Sequence, residues 1–120
     1  MCYGMSNLLE APQVNTDGVT DMSSMFYGCT RLQSVPQYAT DDVTTMNSTF
    51  YQCYQLAEIP AWNCISVTDF TNCFYLCYRL THIHACHIKA SFDISSSTMF
   101  TESALVEILE NLETISNQTL

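Results

Sequence analysis

Four tyrosines stand 24 residues apart in this chain, and the residues around them recur at the same interval. These tyrosines are Tyr3, Tyr27, Tyr51 and Tyr75. A period between about 20 and 50 residues is typical of repeat arrays, in which each unit contacts its neighbours and the array presents an extended surface. The repeat therefore constrains the fold much more than it constrains the ligand.

Each unit of the repeat carries two apolar patterns. The unit reads V-T-x-[MF]-x-x-x-F-Y-x-C-x-x-L-x-x-[VI]-P and recurs without insertion or deletion. From Met22 to Cys29 the apolar residues fall at helical spacing, which predicts a short α-helix or 3₁₀ turn. The segment from Leu32 to Val35 ends at Pro36 and predicts a short strand, because proline has no N–H to extend a β-ladder.

Together these patterns predict an α/β solenoid of the leucine-rich-repeat kind. Each 24-residue coil is expected to contribute a short parallel strand and a short helix or 3₁₀ turn. Equivalent strands would lie about 4.8 Å apart, so that each apolar position becomes a column through the core. The columns expected to be structural are Phe26, Phe50 and Phe74; Cys29, Cys53 and Cys77; and Leu32, Leu56 and Leu80.

The repeat pattern divides the chain into two segments. Residues 1–88 are predicted to form the solenoid of about four 24-residue units, the first of them incomplete. Residues 89–120 follow as a C-terminal capping segment with an amphipathic helix over about 102–115. The polar side of this helix is acidic, whereas membrane-surface helices carry basic residues there, so we expect it to cover the last coil. Its apolar stripe comprises Leu105, Ile108, Leu109, Leu112 and Ile115.

The repeated sequence resembles a known family. The segment VTDMSSMFYGCTRLQSV at residues 19–35, echoed at 43–59 and 67–83, is similar to the BspA-like branch of leucine-rich repeats, whose units carry an F-x-x-C-x-x-L-x-x-[IV] core. The match covers about residues 1–88. Because proteins of this kind are usually displayed on surfaces or secreted, and many are described as adhesins, the resemblance implies an extracellular or cell-surface binding module with no catalytic residues.

Charge and missing motifs narrow the function classes. Three basic residues stand against twelve acidic ones, and the net charge of −9 argues against a nucleic-acid partner. The sequence shows no signal-peptide pattern and no apolar run near the roughly 20 residues that a membrane span needs, so we expect no membrane insertion. The chain also lacks the G-x-S-x-G, phosphate-loop and H-E-x-x-H motifs, so we expect neither an enzyme nor a cofactor.

Two sets of residues are candidates for a binding surface. Tyrosine offers a large contact area at a low cost in conformational entropy, although a tyrosine beside each core phenylalanine could equally pack only against its stacked equivalent. The tyrosine candidates are Tyr27, Tyr51 and Tyr75 in one column and Tyr54 and Tyr78 in another. The competing candidate is the strand face, with Gln33, Ser34, Glu58 and His82. A cross-strand contact between Glu58 and His82 is expected there.

The seven cysteines and three histidines are candidates for a disulfide or a zinc site, as well as for buried structural positions. The repeat column of cysteines is expected to hold buried thiols, because free cysteine behaves as a small hydrophobic residue. Cys64 and Cys86 lie 22 residues apart and could form a disulfide between adjacent coils. The weak candidates for zinc ligands are His82, His84, Cys86 and His87. Their spacing matches no established zinc site, so we expect no metal.

Two functional hypotheses remain from the sequence. The first is an adhesin-like recognition module that binds a protein or carbohydrate through the solenoid surface. The alternative is a structural repeat segment of a larger assembly, such as a surface array or a phage virion or tail component, and a zinc-binding module is a remote third. The first unit begins in mid-repeat, so its edge is expected to be covered by upstream repeats, a second copy or another subunit.

Overall fold

A computed structural model describes residues 2–97, 99, 100 and 102–111. It contains the strands β1 (Glu58–Ile59) and β2 (His82–Ile83) and the helix α1 (Glu102–Asn111). The two strands pair in parallel, with Glu58 opposite His82 and Ile59 opposite Ile83. Each strand ends close to the position at which the sequence repeat carries proline or its replacement, as expected for a residue type that cannot donate to a ladder.

Parallel pairing at the repeat interval extends beyond the two strands. Isolated parallel bridges join Glu10 to Ser34, and Asp21 to Thr45, which in turn pairs with Asp69. A further parallel bridge joins Asn63 to Cys86, which are 23 residues apart, one fewer than the repeat interval. Equivalent residues of successive units therefore lie side by side. The complete solenoid and the division at residue 88 stay predictions.

The segment predicted as a short helix or 3₁₀ turn forms consecutive turns. Met25 N donates to Met22 O at 3.2 Å and Cys29 N to Phe26 O at 3.1 Å, the i to i−3 pattern of 3₁₀ turns. Within the first of these turns Ser24 has a φ of 57°, in the left-handed region. This conformation interrupts the turn before a longer helix can form.

The core consists of the repeat columns stacked on one another. The rings of Phe26 and Phe50 lie 5.6 Å apart and those of Phe50 and Phe74 6.1 Å apart, with nearly parallel planes. All the residues that the sequence assigns to structural columns are buried. The members are Phe26, Phe50, Phe74, Cys29, Cys53, Cys77, Leu32, Leu56 and Leu80.

A second aromatic column was not anticipated from the sequence. Tyr38 and Trp62 are buried, with ring centroids 5.7 Å apart. The Tyr38 hydroxyl donates to Pro12 O at 2.6 Å, and Trp62 Nε1 donates to Pro36 O at 3.0 Å. Each polar group thus bonds the preceding unit, which lets an amphipathic ring sit in the core without an unsatisfied donor.

Helix α1 packs on β2 through a face that matches the predicted stripe at Leu105 and Ile108 but not at Leu109. Ala104 and Ile108 are buried and Leu105 is partly buried against the core, whereas Leu109 is 56% exposed. The predicted stripe is therefore wrong at Leu109, because the helix is rotated so that the 104–108 line faces the core. The predicted residues 112–115 lie outside the described part of the chain. Among the described residues, no helix is long and apolar enough to cross a bilayer.

Candidate functional site

The repeat tyrosines form a continuous stack on the outside of the molecule, here called the tyrosine ladder (Tyr3, Tyr27, Tyr51 and Tyr75). Successive ring centroids lie 5.0, 4.6 and 5.1 Å apart. The first two pairs are stacked, with interplanar angles of 10° and 2°, and the last is tilted by 34°. Tyr3 is 65% exposed and Tyr75 43% exposed, which leaves both ends of the ladder open.

Backbone hydrogen bonds hold the ladder in register. Gly28 N donates to Tyr51 O at 2.8 Å, and Gln52 N donates to Tyr75 O at 3.0 Å. Tyr27, Tyr51 and Tyr75 each follow a buried core phenylalanine in the sequence, and Tyr3 follows the buried Cys2, so the preceding side chain points inward while the tyrosine lies outside. Two adjacent positions of each repeat therefore build a core column and a surface column side by side.

Stacking decides which part of each tyrosine a ligand can reach. The ring faces inside the ladder are covered by their neighbours, so the accessible groups are ring edges and a row of phenol hydroxyls. Loss of surrounding water, together with the neighbouring rings of Tyr27 and Tyr75, raises the pKa of the Tyr51 phenol. This hydroxyl therefore stays protonated at neutral pH, able both to donate and to accept a hydrogen bond.

The second predicted tyrosine column adjoins the ladder. The rings of Tyr54 and Tyr78 stack with centroids 5.5 Å apart and planes 14° apart. Tyr54 also contributes to the raised pKa of Tyr51, so the two columns are close enough to interact. The structure thus stacks all five tyrosines of the sequence prediction, in two columns.

The strand-face candidates lie in a different environment. Gln33, Ser34 and Glu58 are exposed, and His82 is half-buried. The expected contact between Glu58 and His82 is confirmed, with Oε1 lying 3.8 Å from Nδ1. Glu58 Oε2 also lies 3.9 Å from His84 Nε2. At this position the strand face is thus occupied by contacts within the protein.

His84 connects the strand face to the C-terminal helix. Its Nδ1 lies 2.8 Å from Glu107 Oε1 on α1. This oxygen is buried and accepts no hydrogen bond of favourable geometry from the described residues, and the pair is an ion pair only when His84 is protonated. The rings of His82 and His84 stack 5.5 Å apart.

The predicted zinc candidates are not arranged as a ligand set. Within the described residues, no three His, Cys, Asp or Glu side chains converge so as to hold a metal ion. Cys86 Sγ lies 3.7 Å from Trp62 O, while His82 and His84 contact carboxylates. His87 occupies a left-handed turn, with a φ of 56°.

The buried cysteine column links successive units. Cys29 Sγ donates to Cys2 O at 2.8 Å, and Cys77 Sγ donates to Phe50 O at 3.1 Å. Burial raises the pKa of Cys77 to about 12, and that of Cys53 rises for the same reason. These thiols are therefore neutral, hydrogen-bonded core groups. The sequence indicated their burial but not their bonds.

The off-column pair Cys64 and Cys86 lies at a unit boundary. Cys64 N donates to Cys86 O at 2.9 Å, and both Sγ atoms approach Trp62 O, at 3.8 and 3.7 Å. Both residues are free thiols in the structure, and burial raises the pKa of Cys64 to about 12. The disulfide between them stays a prediction.

Stacked, parallel-paired units carrying a surface ladder of aromatic rings define a repeat protein. The chain matches the family model described as "Mycoplasma protein of unknown function, DUF285" over residues 2–112, so it belongs to this surface-type repeat family. BspA-like repeats are a related kind of surface repeat, and membership of that branch stays a prediction. No curated protein and no solved structure matches the chain.

Proposed function

We propose that this chain is a non-catalytic recognition module of a surface protein, adhesin-like in function, that binds a protein or carbohydrate through the tyrosine ladder. The observation that carries the proposal is the continuity of the ladder, whose ring spacings of 5.0, 4.6 and 5.1 Å present phenol hydroxyls at a regular interval. Tyrosine is well suited to this role because its ring is rigid and amphipathic.

The recognition surface is proposed to lie on an α/β solenoid. Parallel bridges from Asp21 to Thr45 and from Thr45 to Asp69 support this architecture, because they place the same position of three units in one line. The fully buried Phe and Leu columns support it as well. In such an array a binding surface grows by one equivalent set of groups per coil.

The strand face is the weaker candidate surface. Its charged groups are engaged within the protein, since Glu58 contacts His82 and His84 while Glu107 of α1 contacts His84. A ligand would have to compete with these contacts. The ladder hydroxyls of Tyr51 and Tyr75 face no such competition, because no described residue forms a hydrogen bond with either hydroxyl.

A cell-surface location follows as part of the proposal. It rests on membership of a surface-type repeat family. An enzymatic role has no comparable support, because the titratable groups described above are engaged in packing or in ion pairs rather than gathered in a pocket.

A second candidate is a structural repeat segment of a larger surface assembly. The observation that favours it is a main-chain edge at residues 68–72 that finds no partner within the described part of the chain, where the earlier units are hydrogen-bonded to a following unit. In an assembly such an edge would be covered by another subunit.

The proposal is tested by binding to a printed array of oligosaccharides and to a panel of purified extracellular-matrix proteins. The double variant Tyr51→Phe/Tyr75→Phe keeps both rings and removes two hydroxyls. We expect it to lower the affinity for any captured probe about tenfold, since each lost hydrogen bond contributes about 0.5–1.5 kcal/mol. The matched control is Gln33→Ala/Ser34→Ala on the strand face, which should bind as the unaltered chain does.

Two results would contradict this proposal. Binding that survives the tyrosine variant but is lost in the control would move the site to the strand face. Absence of binding to every probe would favour the structural role.

A further inference from the structure

The main-chain edge of the fourth unit is unpaired where the edges of earlier units are paired. In the second unit Met22 N donates to Thr45 O at 3.0 Å, and in the third Met46 N donates to Asp69 O at 2.9 Å. The equivalent donor of the fourth unit is the N–H of Phe70. Among the described residues this group has no hydrogen-bond partner.

Two further main-chain groups on the same edge also lack, among the described residues, the partner that their equivalents have in earlier units. Thr68 N donates to Thr44 O at 2.8 Å, but Thr68 O accepts no backbone hydrogen bond from the described chain. Ser48 N donates to Thr71 O at 2.9 Å, whereas its equivalent, Asn72 N, is unpaired in the same part of the structure. The edge thus offers one acceptor and two donors in the pattern of a parallel ladder.

These unpaired groups line an open cleft of about 610 Å³ between residues 68–72 and 90–93. In earlier units the next repeat occupies the corresponding position. Here the chain leaves the repeat path, because Phe92 turns into the core and packs edge-on at 5.9 Å from Phe70 and 5.8 Å from Phe74. The volume lies within the range of about 300–1,000 Å³ that is typical of ligand pockets.

The cleft is also negatively charged. Asp69 and Asp93 line it, and no Lys or Arg is among its described lining residues. Asp69 Oδ1 accepts a hydrogen bond from Thr71 N at 2.8 Å, and Asp93 Oδ1 accepts one from Ser95 N at 2.7 Å. Hydrogen bonds from the side chain and the backbone of Thr71 lower the pKa of Asp69, and those from the backbone and the side chain of Ser95 lower the pKa of Asp93, so both carboxyl groups are ionised at neutral pH.

We propose that this cleft binds an extended, basic peptide segment of a partner protein, which adds in parallel to the fourth unit as a further repeat would. Backbone carbonyls of the segment would accept from Phe70 N and Asn72 N, and one of its N–H groups would donate to Thr68 O. A Lys or Arg side chain of the segment would lie opposite Asp69. Main-chain pairing supplies affinity in this recognition mode, and the charged pair supplies selectivity. The site is separate from the tyrosine ladder and does not depend on it.

The probe for this site is a synthetic peptide of residues 19–28 of the chain itself. Inside the protein this segment forms the parallel bridge between Asp21 and Thr45, and the same column continues to Asp69. Two versions are compared by amide NMR titration of the full chain, one unmodified and one with Asp21→Lys. We expect the lysine peptide to shift the amide signals of Phe70 and Asn72. We expect it to bind at least about fivefold more tightly than the unmodified peptide, because a repulsive cross-strand pair becomes attractive.

Protein variants show whether the charge of the cleft is responsible. Asp69→Asn/Asp93→Asn keeps an acceptor oxygen at each loop bond, and we expect it to weaken the lysine peptide about fivefold. The matched control is Asp21→Asn in the protein, two units away in the same column, whose Oδ1 accepts from Ser23 N at 2.8 Å in the same way. This control should bind as the unaltered protein does.

Several outcomes would overturn the proposal. These are an absence of shifts at Phe70 and Asn72, shifts confined to the tyrosine ladder, or equal weakening by the Asp21→Asn control. Slow hydrogen exchange at the same two amides in the free monomer would show that another part of the chain already fills the cleft. Concentration-dependent shifts without peptide would show that a second copy, not a basic partner, is the occupant.

Discussion

The Sγ atom of Cys53 lies 3.2 Å from the backbone carbonyl oxygen of Phe26, 27 residues earlier in the chain. Cys29 and Cys77 make the equivalent bond to Cys2 O and Phe50 O, also across 27 residues. The thiol is therefore both a small core group and a donor that ties one unit to the preceding one. This explains why cysteine, rather than alanine, suits the position.

Replacing the central thiol should measure this link. Cys53 is fully buried, so Cys53→Ala removes the hydrogen bond and leaves a small cavity. We expect a loss of about 1–2 kcal/mol in the free energy of unfolding, measured by urea denaturation. The control is Cys86→Ala, at a partly exposed position. An equal loss for both variants would contradict a special role for the column.

Alkaline pH should destabilise the fold. Burial raises the pKa of Cys64 and Cys77 from 9.0 to about 12 and that of Tyr38 from 10.0 to about 12. These groups stay neutral when folded but ionise when unfolded, so their stabilising effect is complete below pH 9 and is lost as the pH rises toward 12. We expect the midpoint of urea unfolding to fall steadily over this range. A midpoint that stays constant between pH 9 and 11 would contradict the burial of these groups.

The orientation of α1 can be tested with two neighbouring residues. Ile108 is fully buried, whereas Leu109 is 56% exposed. We expect Ile108→Ala to cost about 2–4 kcal/mol in unfolding free energy, and Leu109→Ala to cost less than about 0.5 kcal/mol. Thermal and urea unfolding of both variants would decide this. A larger loss for Leu109→Ala would restore the stripe predicted from the sequence.

The tyrosine ladder should contribute to stability through its rings rather than its hydroxyls. Tyr51 stacks on Tyr27 at 4.6 Å and contacts Tyr75 at 5.1 Å. We expect Tyr51→Phe to leave the unfolding free energy within about 0.5 kcal/mol of the unaltered value and Tyr51→Ala to lower it by about 1–3 kcal/mol. Strong destabilisation by the phenylalanine variant would show that the hydroxyl is structural and would weaken the binding proposal.

The repeat register made the stacking columns readable from the sequence. Because every unit has the same length, Phe26, Phe50 and Phe74 could be placed in one column without knowledge of the strands, and the same holds for the ladder tyrosines. The contact between Glu58 and His82 followed from the same register. Local periodicity is sufficient for these features because each contact repeats a neighbouring one.

Features outside the repeat were not accessible in the same way. Tyr38 and Trp62 differ in residue type, and the residue at the same sequence interval in the next unit is Cys86, so their common role is hidden at the level of residue type. The rotation of α1 was missed because Ala104, a weak signal of burial, faces the core while Leu109 does not. The rotation of a helix about its axis is decided by how it packs against residues distant in the sequence. The helix's own apolar periodicity defines the buried face only approximately. The cleft beside Phe70 forms because the chain leaves the repeat path at Phe92. No residue pattern in the sequence predicted this change of path.

The central claim is that this chain acts as a recognition module rather than as a subunit of a self-assembling array. Light scattering coupled to size-exclusion chromatography, over a wide range of protein concentration, tests it most directly. We expect a single species with the mass of one chain, 13.6 kDa, at every concentration. A mass that rises with concentration through multiples of 13.6 kDa would contradict the claim and favour the structural role.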